Sequence, residues 1–168
     1  MILEIVKFPH KALRAKTAPV VFPLSKELKK LTQDMIDTVK YAKGIGLAAP
    51  QVDKAYKLIV INLEHLGLPP FALYNPKVVF KGFKKQDMEE GCLSIPEVFG
   101  MVKRPMKVTV KAQNERGEEI EITDSGWVSR VAQHEIDHIN GVLILDKIRK
   151  YTKGQELVKA WQSQNLLN

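Results

Sequence analysis

Two of the chain's four histidines, His134 and His138, stand four residues apart in the run His134, Glu135, Ile136, Asp137, His138. On a helix that spacing puts both imidazoles on one face, one turn apart, where they can bind one metal ion. Glu135 falls on the adjacent flank. From there it can reach a water held by the metal without being a ligand, as the general base of a metal-assisted hydrolysis does. The plainer reading is a pair of surface histidines on an amphipathic helix. Against it, Val131, Ala132 and Ile139 mark the segment as buried, and a buried glutamate between two histidines requires a reason.

Two imidazoles leave such a site short of a protein ligand. After His138 the only glutamate is Glu156, and Ile144 stands where one metalloprotease pattern needs a third histidine. The remaining soft ligand is Cys92, the one cysteine, within residues 90–96 (EGCLSIP). Gly91 lets the backbone approach a ligand closely, and Pro96 ends the segment. Taken by itself, a lone cysteine reads first as a buried structural thiol. A third segment, residues 44–51 (GIGLAAPQ), places Gly44 and Gly46 around Ile45 with small neighbours behind them. A ligand can approach such a backbone. The segment lacks the third glycine of a dinucleotide fingerprint and the Gly-Lys-Ser/Thr of a phosphate loop. By itself it reads as a helix stop and a tight turn.

The elements that must position these residues follow from periodicity. Ser25 can cap a helix whose stripe is Leu28, Leu31, Met35, Val39 and Ala42, stopped by Gly44. Residues 57–62 read as a buried strand, 63–71 as a loop, and Pro76 limits a strand over 77–81. Met106, Val108, Val110 and Ala112 alternate with polar residues and should pair with 119–123 across the turn residues 114–117. Asp124 or Ser125 can cap the histidine helix, with Trp127, Val128, Val131 and Ala132 on its apolar side and Gly141 at its end. A third helix is expected over 154–167. Helices and strands without a strict strand–helix rhythm argue for an α+β fold of antiparallel strands around a central metal-binding helix.

Composition sets the outer bounds. A chain of 168 residues, 45% apolar and 27% charged, is one ordinary globular domain. One cysteine excludes an intramolecular disulfide and fits a reducing compartment. The net charge of +7 permits contact with nucleic acid but does not assign it. No run approaches the roughly 18 apolar residues of a membrane span, and the N-terminal residues lack a secretory pattern.

Taken together, the three segments resemble one family, the peptide deformylases. The pattern G-x-G-x-A-A-x-Q, then E-G-C-L-S, then H-E-x-x-H, is matched in order by residues 44–51, 90–94 and 134–138. Pro9, Leu13, Arg14, Pro19, Val20, Asn75, Pro76, Val102, Arg104 and Gln133 extend the match over about residues 2–149. The resemblance implies one divalent metal per chain on Cys92, His134 and His138, with Glu135 as base and then acid. Gln51 and the Leu93 backbone N–H would stabilise the oxyanion. It implies Fe(II) natively, with Zn(II), Ni(II) or Co(II) in preparations. The substrate would be the formyl-methionyl N-terminus of nascent polypeptides, the product formate, and the setting the cytoplasm. Gly44, Gly46 and Gly91 would lie against substrate backbone. Ile45, Met88, Trp127 and Val131 are the candidate walls of an apolar methionine pocket. Trp127 is bulkier than the Leu usual there, Phe99 replaces Arg or Tyr, and Ile139 replaces a common Leu.

Three other functions compete: a protease with a different third ligand, a binding protein with a structural metal, and a deformylase relative that has lost activity, against which the intact Gln51, Cys92, Glu135 and both histidines speak. Structural zinc is normally ligated four times by protein, which a Cys-His-His set is not. The chain divides into a catalytic domain, 1–149, and a basic helical tail, 150–168, with a monomer expected. From position 147 onward five basic residues face one acidic residue, Glu156. Leu157 and Trp161 are the expected anchors of the tail helix, whose charge could dock on ribosomal phosphate.

Overall fold

Four apolar residues in a row, Leu58, Ile59, Val60 and Ile61, show no alternation, because both faces of their strand are covered. The computed structural model describes residues 1–167. Eight antiparallel strands form two sheets: β1 (Gly46–Ala48), β2 (Leu58–Leu63), β3 (Leu68–Lys81), β4 (Lys85–Cys92), β5 (Ile95–Pro105), β6 (Val108–Gln113), β7 (Glu119–Asp124) and β8 (Ile148–Lys153). The order is β1-β2-β3-β6-β7 in one sheet and β4-β5-β8 in the other. The helices are α1 (Lys26–Tyr41), α2 (Trp127–Ile139) and α3 (Gln155–Ser163).

The five-stranded sheet lies between α1 and α2. Ile59 and Ile61 pack toward Val131, Ala132, Ile136 and Ile139 of α2. Leu58 and Val60 pack with Leu31, Met35 and Val39 of α1. The α1 stripe is as its spacing predicts, with Ser25 Oγ accepting from the Leu28 N–H. The expected hairpin of β6 and β7 forms in register, Val108 opposite Asp124 and Gln113 opposite Glu119. Asp124 caps α2 from outside: its Oδ2 accepts from the N–H groups of Gly126 and Ser129, both at 2.8 Å.

Several expectations need correction. Residues 68–71 are strand, not loop. Pro69 and Pro70 are tolerated because they sit at a register shift, between Leu68 opposite Leu63 and Phe71 opposite Ile61. Pro76 likewise interrupts no ladder: the register shifts between Tyr74 and Lys77, and Asn75 takes φ 52°. Its amide spends the bulge usefully, bonding both the N–H and the C=O of Val20 in the N-terminal arm. β4 and β5 had no apolar alternation to announce them. They are held by pairing across the chain, Lys85 opposite Pro105 through Glu90 opposite Gly100. The position 149/150 falls inside β8, which is paired to β5. α3 is shorter than expected, and its buried anchor is Val158 rather than Leu157. Trp161 packs against Phe8, 4.8 Å between ring centroids with the planes tilted by 56°.

The segment after α2 is tied to the N-terminal arm by Arg14. Its Nη2 donates to Asp146 Oδ1 at 2.9 Å and its Nη1 to the Gly141 carbonyl at 2.8 Å. Asp146 also accepts from the Leu143 N–H. Burial pushes the Asp146 carboxyl up, but these bonds outweigh it and hold it below its ordinary value. A depressed carboxylate stabilises above its unfolded pKa and loses that contribution as pH falls through the folded one. Asp146→Asn keeps a capping oxygen and removes the charge. It should cost up to about 1 kcal/mol at pH 7, the pair being partly exposed. In urea unfolding the gap to wild type should begin to narrow below about pH 4 and close as pH falls through the depressed folded-state value. A gap that does not narrow at all below about pH 4 would assign the loss to capping instead.

Candidate metal centre and active site

Helix α2 lays His134 and His138 on one face with ring centroids 5.1 Å apart. Cys92 comes to them from the end of β4. There the ladder shifts between Gly91 and Cys92, and Cys92 pairs with Ile95 across a turn whose corners are Leu93 and Ser94. Cys92 Sγ lies 3.2 Å from His138 Nε2, and one ligand atom from each of Cys92, His134 and His138 falls within 4.8 Å of the others. A thiolate and two imidazoles are a donor set for a divalent transition ion with one position left open.

The ring of His134 is fixed from behind. Its Nδ1 lies 2.8 Å from Glu90 Oε1. Burial pushes the Glu90 carboxyl up, but hydrogen bonds from His134 and Arg104 outweigh burial and hold it at about 2. An ionised carboxylate only accepts, so the proton sits on Nδ1 and Nε2 is left as the ligand atom. Arg104 binds Glu90 through two nitrogens, at 2.7 and 3.0 Å, and reaches Asp137 of α2 at 2.8 Å. Arg130 adds a bond to Glu90 at 2.9 Å. His138 is driven below its ordinary value, by burial first and His134 second, which keeps it neutral and able to ligate.

Glu135 is 4% exposed, and its Oε2 has no partner. Burial pushes its carboxyl up to about 7. A sealed, unpartnered carboxylate oxygen next to a soft donor cluster is what a resident cation with its water would satisfy, so the residues fit the metal. Gln51 is buried beside them. The Ala48 N–H donates to its Oε1 at 2.8 Å, which fixes the amide, and its Nε2 points to Ser94 Oγ and Cys92 Sγ at 3.2 and 3.5 Å. Lys7 Nζ donates to the Leu93 carbonyl at 2.6 Å and so holds the orientation of the turn.

Gln51, Glu90, Cys92, His134 and Glu135 face one cavity of about 710 Å³, while His138 lies behind its lining. Gly44, Ile45, Gly46 and Gln51 line one side of it, Gly91, Cys92 and Leu93 another, and Trp127, Val131, His134 and Glu135 the helix side. Met88 is not among them. It lines a separate cavity of about 190 Å³ together with Gln86, while the larger one takes β4 from Glu89 onward. Trp127 is 43% exposed and serves as cavity wall, not core. Arg130 lines both cavities and had no signal in the sequence beyond sitting four residues before His134.

Comparison with known proteins agrees with the geometry. The family model for polypeptide deformylase matches residues 2–154. The chain belongs to that family. It is 41% identical to the peptide deformylase of Halothermothrix orenii over 158 residues, 94% of this chain and 99% of that one. The corresponding figures for Psychrobacter cryohalolentis are 41%, 94% and 86%. The crystal structure of the Thermotoga maritima peptide deformylase superposes with a TM-score of 0.82 at 40% identity, covering 88% of this chain and 98% of that one. That of Synechococcus elongatus in complex with actinonin gives 0.84 at 37%, covering 97% and 86%. The deformylase is thus a hydrolase that removes the formyl group from the N-terminal formyl-methionine of nascent polypeptides and releases formate, and its family uses a divalent metal.

Gly46 is where the sheet and the base meet. A Cβ there would stand 2.4 Å from Glu135 Oε1 and 2.7 Å from Val131 Cγ1. Gly46→Ala should therefore displace the carboxylate and lower kcat/KM by about a hundredfold, the usual cost of an ångström's misplacement. Circular dichroism and bound metal per chain should stay at wild-type values. Turnover within twofold of wild type would show that Glu135 is free to move aside.

Proposed function

We propose that this deformylase holds its ion on Cys92, His134 and His138, and that Glu135, Gln51 and the Leu93 N–H perform the proton transfer and the oxyanion binding. The observation that carries the reading is the convergence of three soft donor atoms within 4.8 Å beside the buried, unpartnered Glu135 Oε2. A divalent ion bound there supplies Lewis acidity and brings the pKa of a water toward neutrality. Glu135 takes a proton from the water that attacks the formyl carbon. As the C–N bond breaks, it passes that proton to the leaving amine, giving formate and a free N-terminus. A carboxyl pushed up to about 7 can both take and give a proton near neutral pH. Gln51 Nε2, locked by Ala48, and the Leu93 N–H donate to the developing oxyanion, each such donor typically worth about 3 kcal/mol of barrier.

Iron(II) is the native ion of this reading, with Zn(II), Ni(II) or Co(II) able to replace it, since mixed sulfur and imidazole donors suit all four. Ile45, Trp127 and Val131 form the apolar wall along which the methionine side chain runs. Gly46, on the edge strand β1, and Gly91 line the cavity, and their missing side chains leave room for Glu135 and Val131 and for Phe99.

Two variants test the assignment together. Cys92→Ala should lose both bound metal and activity. Glu135→Gln should keep the metal and lose most turnover, because the amide cannot accept the proton. Metal retained at wild-type stoichiometry in Cys92→Ala, or lost in Glu135→Gln, would overturn the ligand set.

The tail is read as a ribosome contact of a monomeric, cytoplasmic enzyme. Lys150 and Lys159 are exposed, and neither pairs with a carboxylate among the described residues. Val158 and Trp161 anchor α3 on the body, so removing the helix would also open the core. Charge reversal is cleaner. Lys150→Glu with Lys159→Glu should leave turnover of a short formyl peptide unchanged and weaken co-sedimentation with ribosomes at low salt. No co-sedimentation of the wild type at low salt would refute the contact.

A further inference from the structure

The larger cavity and the smaller one share two residues, Trp127 and Arg130. Trp127, Arg130, Val131 and His134 recur at helical spacing on one face of α2. With a rise of about 1.5 Å per residue, Arg130 lies roughly 6 Å along the axis from His134. That is about the reach of an unbranched side chain of methionine's length. A side chain that starts beside the metal centre and runs over Val131 therefore ends at Arg130.

Arg130 is 8% exposed and held in place. Its Nη1 donates to Glu90 Oε2 at 2.9 Å and to the Val102 carbonyl at 3.1 Å, and its Nη2 to the Gln86 carbonyl at 2.9 Å. A guanidinium carries five N–H groups. The Nε–H has no acceptor among the described residues, yet Nε is not among the sealed, unpartnered polar atoms. Arg130 lines both cavities, so this N–H is the donor it can offer there. The Arg130 charge is already taken up by Glu90, which it shares with Arg104, while Asp137 is shared between Arg104 and Lys147. Arg130 therefore has a donor to offer but no surplus positive charge to offset the desolvation of a carboxylate.

We propose that Arg130 is a specificity-determining residue that ends the side-chain pocket in a hydrogen-bond donor, so that the enzyme also deformylates N-terminal residues bearing a neutral acceptor oxygen at the δ position. Two side chains have that shape: methionine sulfoxide, the oxidised form of the usual first residue, and glutamine. The proposal rests on the reading that the larger cavity receives the first side chain.

The test compares kcat/KM of the metal-loaded enzyme for formyl tripeptides that differ only in the first residue: norleucine, methionine, methionine sulfoxide and glutamine. Norleucine has the length without the acceptor. In the wild type, the sulfoxide and glutamine peptides should fall within about tenfold of norleucine, a hydrogen bond to a charged donor offsetting the polar group's desolvation. Arg130→Leu leaves Glu90 bound by Arg104 and His134, and should lower the sulfoxide-to-norleucine ratio a further tenfold or so. Arg130→Lys should restore part of it. A wild type that prefers norleucine over both oxygen-bearing peptides by more than about a hundredfold overturns the proposal, and this decides even if Arg130→Leu does not fold. So does an unchanged ratio in a folded Arg130→Leu. Val131→Trp separates the two levels of the argument. If filling the cavity slows formyl-methionine no more than formyl-glycine, the pocket itself is misplaced. If it does slow formyl-methionine selectively while Arg130→Leu leaves the ratio unchanged, only the role of Arg130 fails.

Discussion

The buried carboxylate of Glu90 is the constraint on which the active site hangs. It sits on β4 two residues before Cys92 and bonds to Arg104 on β5 and to Arg130 and His134 on α2. One side chain therefore fixes the distance between the small sheet, which brings the sulfur, and the helix, which brings both imidazoles. A carboxylate taken out of water is costly unless every lone pair is used. Here the two oxygens take four bonds, three from guanidinium nitrogens and one from imidazole. Removing any one partner would leave a buried charge short of a donor, which costs more than the lost bond alone. The same bonds choose the His134 tautomer, so the structural clamp also sets the ligand chemistry.

The large sheet answers a different need. β2 is covered on both faces, so α1 and α2 are locked to each other through it. β1 continues that sheet to an edge and begins at Gly46, where an added side chain would run into Glu135. The base is thus held by sheet packing and the ligands by an ion cluster, two independent supports that meet at α2. The Asn75 bulge and the Arg14–Asp146 pair bring the N-terminal arm over the seam between the sheets. That arm in turn supplies Lys7 to the Leu93 turn.

Local chemistry was legible in the sequence wherever one element carries it alone. The i, i+4 histidines, the α1 stripe and the 114–117 turn obey short-range periodicity and were readable. The β4–β5 hairpin was not. Its first strand, KQDMEEGC, has a poor strand composition, and its order comes from pairing with β5, from Lys85 opposite Pro105 onward. Met88 falls outside the larger cavity for the same reason, since how far along β4 that cavity reaches depends on the pairing with β5. The prolines at 69, 70 and 76 read as breakers because a bulge that tolerates them is a property of the partner strand. The motif resemblance named Cys92, Gln51 and Leu93, but it gave no hint of Arg130, whose significance depends on the fold bringing Glu90 within 2.9 Å.

Helix α2 then acts as a ruler along which the chemistry changes turn by turn. His138 lies deepest, 1% exposed, beside Cys92 and the ring of His134. One turn toward the N-terminus come His134 and Glu135, where bond-making needs both a ligand and a base. One turn further, Val131 is apolar and Arg130 is not. Trp127 closes the series at the solvent edge. Polarity therefore falls and rises again along about 10 Å of helix, the length from residue 134 to 127 at the α-helical rise. A purely apolar pocket would discriminate by only about 1–3 kcal/mol per methylene. Placing a fixed cationic donor at the far end changes the kind of discrimination available, from counting methylenes to reading an atom. The guanidinium can afford that position only because Glu90 already neutralises it, so the clamp that orients the metal ligand is also what allows a charge to line the pocket.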